Sequence, residues 1–133
     1  MPYPVSTSLA ERIEALYGRP RADLEAHAAT TDRPTMLAAL LDACCTVELA
    51  EKNIEFQRER LLQLADLGCD IGPATAGHLL DCSRRIAESV AIRDTQARHA
   101  TAVIQSLHRA PAPAATPVSP APAAATVRAA HAR

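Results

Sequence analysis

PTMLAALLDACCTVELAEKNIEFQRERLLQLADL, residues 34–67, is the stretch whose reading decides the fold. Apolar residues fall at Leu37, Leu40, Cys44, Val47, Ile54, Leu61 and Ala65, in steps of three and four, with Glu51 and Arg58 in the two gaps. Leu40, Val47, Ile54 and Leu61 are each seven apart, which is the seam of a helix that needs a partner helix. No Gly or Pro interrupts Thr35–Leu67. Pro34 is tolerated in a first helical turn, Asp32 or Thr31 can cap it, and Gly68 supplies a stop. The spacing therefore predicts one helix over 34–67, on the order of 50 Å long at about 1.5 Å per residue.

The partner lies downstream. Gly68–Pro73 reads as a helix-to-helix connection, and Ala74–Arg109 follows as a second long helix. Its seam is Ala76, Leu79, Ser83, Ile86, Val90, Arg93, Ala97, Ala100, Ile104 and Leu107. A turn near Asp70–Ile71 pairs residues whose numbers sum to about 141–144. Leu61 then meets Leu79 or Ser83, Ile54 meets Ile86 or Val90, and Leu37 meets Ile104 or Leu107. Glu51 falls near Arg93, acidic gap against basic gap, and the two are expected to pair and fix the register. The first helix is rich in acids (Asp42, Glu48, Glu51, Glu55, Glu59, Asp66) and the second in arginines (Arg84, Arg85, Arg93, Arg98, Arg109), which favours the same arrangement modestly.

Upstream, residues 1–7 read as loose. Ser8-Leu9-Ala10-Glu11 has capping-box spacing, with Leu9, Ile13, Leu16 and Tyr17 as one helical face and Gly18 as a stop. Pro20 opens a short piece, Arg21–Ala28, whose only large apolar residue is Leu24. Such short helices must dock on something. Leu49 and Phe56, seven apart and away from the seam, mark a surface that either the N-terminal helix or a second subunit covers. From Ala110 onward Pro and Ala dominate without periodicity, and residues 110–133 are expected to be a disordered, partly polyproline-like tail. The fold class is thus all-α: a long antiparallel, coiled-coil-like two-helix hairpin (34–109), a helical N-terminal segment (1–33) and the tail.

Totals narrow the function classes. Net charge is −1 across 133 residues, so no bulk electrostatic drive toward nucleic acid or anionic membrane is present. Aromatics make up 2% with no Trp, so the core is built from Leu, Ile, Val and Ala, which bury modest area and favour oligomerisation. No run approaches the roughly 18 apolar residues of a membrane span. The start Met1-Pro2-Tyr3-Pro4-Val5 lacks a basic region and an apolar run, so a cytoplasmic protein with reduced cysteines is expected.

Candidate chemistry is sparse. Cys69, His78 and Cys82 are the sharpest cluster: His78 and Cys82 share a helical face, Cys69 lies in the adjoining turn, and Asp81 or Asp70 would complete a tetrahedral zinc site. No CxxC occurs, and Cys is also a common small buried residue. Cys44 belongs to the seam, and Cys45 beside it faces another helix. There is no nucleophile elbow, no Gly-rich phosphate loop and no repeated Glu-x-x-His pair, so neither enzyme activity nor a cofactor or small-molecule substrate is expected. Apolar residues beyond one seam's needs, Leu41, Leu49, Phe56, Leu62 and Leu64, point to a protein partner or a second copy. The expected function is a non-enzymatic helical interaction module (an adaptor, chaperone or assembly accessory) that self-associates. A DNA-associated regulator or mobile-element accessory using the Arg-bearing helix is the alternative, with a small zinc-stabilised module as a third.

Overall fold

Four helices follow one another along the chain: α1 (Pro4–Tyr17), α2 (Arg21–Ala29), α3 (Met36–Leu64) and α4 (Pro73–Arg109). The computed structural model describes residues 3–109; the expected Pro/Ala-rich tail, 110–133, lies outside the described residues. Helices α3 and α4 pack along their lengths as the antiparallel hairpin, and α1 lies in the groove between them at one end, with α2 beside it on α3. No described helix is long and apolar enough to cross a membrane.

Local chemistry sets most of the boundaries. Thr35, not Asp32 or Thr31, caps α3: its hydroxyl accepts the Ala38 N–H at 3.1 Å. Pro34 therefore stands before the cap. The helix closes at Leu64, three residues short of the expected Leu67. Asp66 turns the chain there, its carboxylate accepting the Gly68 N–H at 3.2 Å. Gly18 does end α1, at φ 66° and ψ 25°, a left-handed conformation that glycine adopts without a Cβ penalty. Glu14 then reaches past this turn, accepting the Arg21 N–H at 2.6 Å and so starting α2.

The start of α1 corrects the sequence reading. Residues 4–7 are helical rather than loose, and Ser8–Glu11 lies inside the helix instead of opening it. Pro4 occupies the first turn, where its missing N–H costs nothing. No local side chain caps the helix; the cap comes from α3. The Glu51 carboxylate accepts the N–H groups of Val5 (2.8 Å) and Ser6 (3.0 Å) and the Ser6 hydroxyl (2.6 Å). A carboxylate there satisfies free amides and meets the positive end of the helix dipole.

The expected Glu51–Arg93 pair is accordingly not formed. Arg93 instead bonds its sequence neighbour Asp94 at 2.8 Å. Both side chains line one shallow depression with Pro4, Ile54 and Arg58, so the register brought them near each other. Two free amides and a hydroxyl, fixed by the docking of α1, took the carboxylate. The register itself is marked by another contact: the Asn53 amide donates to the Ser89 hydroxyl at 2.6 Å, a pair within the expected range.

The core sits where α1 and α2 meet the hairpin. Leu9, Ile13, Leu24, Leu37, Leu40, Leu41, Cys44, Val47, Ala100 and Ile104 form one buried cluster. Burial pushes the Cys44 thiol above its ordinary value, so it stays protonated and inert. A guanidinium ties the short α2 to this body: Arg21 bonds Glu25 at 2.6 Å, Glu48 at 3.3 Å and the Cys45 sulfur at 3.6 Å.

Candidate interaction surface

The hairpin has two broad faces, and α1 covers part of only one. Glu51 points to α1; residues two positions away on α3 lie about 200° around the helix. Leu49 and Asn53 therefore belong to the opposite face. There, Thr46, Leu49, Ala50 and Asn53 of α3 and Ser89 and Ile92 of α4 line a shallow open groove to which no residue of α1 or α2 contributes. Leu49 is 68% exposed and Ile92 48%. Phe56, two turns along α3 from Leu49 and on the same side, is 61% exposed. Neither the N-terminal helices nor any other described element covers these residues.

Of the five residues expected at a partner surface, Leu49, Phe56 and Leu62 are exposed, Leu64 is half-buried and Leu41 is buried. Leu41 is buried in the chain's own core, because α1 and α2 form a second layer that turns the outer flank of α3 inward. Leu49 and Phe56 share the groove-side face. Leu62 is also 68% exposed, but helical spacing places it on the Glu51 side, beyond the start of α1. Ile92 was missed by the sequence reading. It stands next to the seam residue Arg93, and only the register puts it opposite Leu49.

The surroundings of this stripe are polar and sparsely paired. Asp42, one heptad before Leu49, and Arg60, one turn after Phe56, are both exposed. Neither makes an ion pair or side-chain hydrogen bond among the described residues. Farther round α3, Lys52 bonds Glu48 at 2.7 Å, which holds the Glu48 carboxyl below its usual range and raises the Lys52 ammonium above its own.

The remaining candidates do not assemble. Among the described residues no three His, Cys, Asp or Glu side chains come together as a metal site, so Cys69, His78, Cys82 and their acidic neighbours are not one cluster. Cys69 is exposed in the turn, whereas Cys82 is buried between the helices. The basic strip on α4 is largely neutralised by its own helix. Arg84 bonds Asp81 at 2.7 Å and Glu88 at 2.6 Å, and Arg85 bonds Asp81 at 2.8 Å. These pairs depress the Asp81 carboxyl, chiefly through Arg84, and raise the Arg84 guanidinium. Exposed pairs of this kind within one helix each contribute little to stability. Comparison with protein-family models, with characterised proteins and with solved structures finds no match to this chain.

Proposed function

We propose that the chain is a non-enzymatic helical protein–protein interaction module, an adaptor, chaperone or assembly accessory, whose contact surface is the uncovered face of the α3–α4 hairpin. The observation that carries this reading is a set of large exposed apolar side chains on one side of the hairpin: Leu49 and Ile92 line an open groove between the two helices, and Phe56 stands two turns farther along α3. Single exposed leucines are ordinary; several aligned on one face, with small residues between them and charges at both ends, have the make-up of a contact patch with a polar rim. Helix faces also present such residues with little ordering cost on binding.

A photo-crosslinking residue placed at position 49 or 56 of the full chain in cells tests the assignment. Adducts with protein are expected from both positions, and none from position 88 on the charged outer face of α4. Equal labelling from all three, or from none, overturns it.

A further inference from the structure

The uncovered face is nearly self-complementary, and we infer that its occupant is a second copy of this chain, docked antiparallel so that α3 lies on α3. The inference rests on the interaction-module reading and names its partner. Asp42, Leu49 and Phe56 are seven apart, and Arg60 is eleven from Leu49. Steps of seven and eleven residues both return to within about 20° of one direction, so all four lie in a single stripe. Along it the order is acid, apolar, apolar, base. The two apolar residues are centred within about one residue of Lys52, and so are the two charges.

A stripe with that symmetry is matched by itself reversed. About a two-fold axis crossing α3 near Lys52, Leu49 of each copy meets Phe56 of the other. Asp42 then falls within a helical turn of Arg60 of the second copy. Ile92, beside Leu49 across the groove, widens each apolar contact into a three-residue cluster. The two pairs of clusters and charges repeat by symmetry, as an isologous interface requires. In the free chain Asp42 and Arg60 find no partner among the described residues, so nothing must be broken to form the new pairs.

The area is also sufficient. The 29 residues of α3 span about 43 Å, and two helices side by side are about 20 Å wide. A face of that size is on the order of 800 Å² per copy, the standard size for a stable protein pair. Helices α1 and α2 lie on other sides of the hairpin and leave the stacked faces free, giving a four-helix bundle at the centre of the dimer.

Sedimentation equilibrium of the full chain tests this. At concentrations on the order of tens of micromolar, a species of twice the 14.1 kDa chain mass is expected. Leu49→Glu and Phe56→Glu each strike two symmetry-related contacts and should weaken it about a hundredfold. Asp42→Arg and Arg60→Asp change only exposed groups and should each weaken it about tenfold. Mixing those two single variants restores both opposite-charge contacts and should recover the dimer. A monomer at that concentration, a dimer indifferent to Phe56→Glu, or a mixture no tighter than its components would overturn the arrangement. If the chain is monomeric yet a crosslinker at position 56 captures another protein, self-pairing fails and the interaction module stands. If neither a second copy nor another protein is captured, both fail.

Discussion

The two ends of the hairpin are written in the same heptad pattern and live in different environments. At the end where the chain's N-terminal helices dock, a second layer of helix over the hairpin encloses Ile13, Val47, Cys44 and Ile104 almost completely. Toward the turn, only α3 and α4 remain. No described residue between positions 58 and 81 is buried; the seam residues Leu61 and Leu79 are half-covered, as is Leu64, while Leu67, Ile71 and Leu80 face solvent. A two-helix seam can shield one narrow stripe, and burial of whole side chains requires a third element. The difference teaches that α1 and α2, fewer than a quarter of the residues, create most of the core. The turn end is a projecting two-helix arm without a buried core.

This contrast is most easily broken by truncation at matched seam positions. Ile104→Ala removes a side chain that is 2% exposed within the main cluster and should cost about 2–5 kcal/mol in urea unfolding. Leu61→Ala, on the same kind of seam in the arm, should cost about 1 kcal/mol, because the site is already wet and little cavity is left. Equal costs would mean that the arm is enclosed in solution. If the difference vanishes only at concentrations where the chain pairs with itself, the second copy is the covering element.

How far the sequence could be read follows the same division. Seam spacing is a short-range property, so both long helices, their antiparallel register and the burial of Leu37, Leu40, Cys44 and Val47 were legible. Asn53 and Ser89 confirm the register without having been foreseen as a pair. What was not legible depended on contacts between residues far apart in the chain. Leu41 looked surplus because nothing local says that α1 and α2 will lie over it. Local spacing places the onset of α1 four residues late, because its cap is Glu51, some 45 positions away. Glu51 itself looked like a gap in a two-helix seam; with a third helix present it is a cap. Ile92 had no distinguishing neighbours in sequence. The cysteine–histidine cluster failed for the opposite reason: helical spacing aligned His78 with Cys82, but the turn carries Cys69 into solvent.

Glu51 offers a sharper test of the base alone. It is 6% exposed and holds three donors of α1. Glu51→Ala leaves the Val5 and Ser6 amides without their acceptor, the Ser6 hydroxyl keeping only the Tyr3 carbonyl at 3.3 Å, and should cost about 1–3 kcal/mol. The loss should be local. Hydrogen exchange of the first-turn amides of α1 should accelerate, while the amides of α4 near the turn keep their protection. Because Arg93 bonds Asp94 and not Glu51, the costs of Glu51→Ala and Arg93→Ala should add to within about 0.5 kcal/mol. A larger coupling would restore the register pair and remove the capping account.

The smallest expected effect separates the two ends by pH. Glu48, in the base, is held below its ordinary carboxyl value first by Lys52 and then by Arg21, which joins α3 to α2. Asp81, in the arm, is held down by Arg84 and Arg85 of its own helix. A carboxyl with a depressed folded-state value contributes stability that is complete above its unfolded value and is lost as pH falls through the folded one. Both contributions should therefore vanish on acidification below the usual carboxylate range, and both are screened by solvent and salt. Their structural consequences differ. Protonating Glu48 loosens a contact between two helices, so exchange of the α2 amides should rise in acid and Arg21→Met should abolish most of that rise. Protonating Asp81 weakens only bonds within α4, whose backbone ladder holds without them. Exchange across residues 81–88 should then show no added acid sensitivity, and a rise there equal to that of α2 would mean that the arm depends on its surface charges as the base does not.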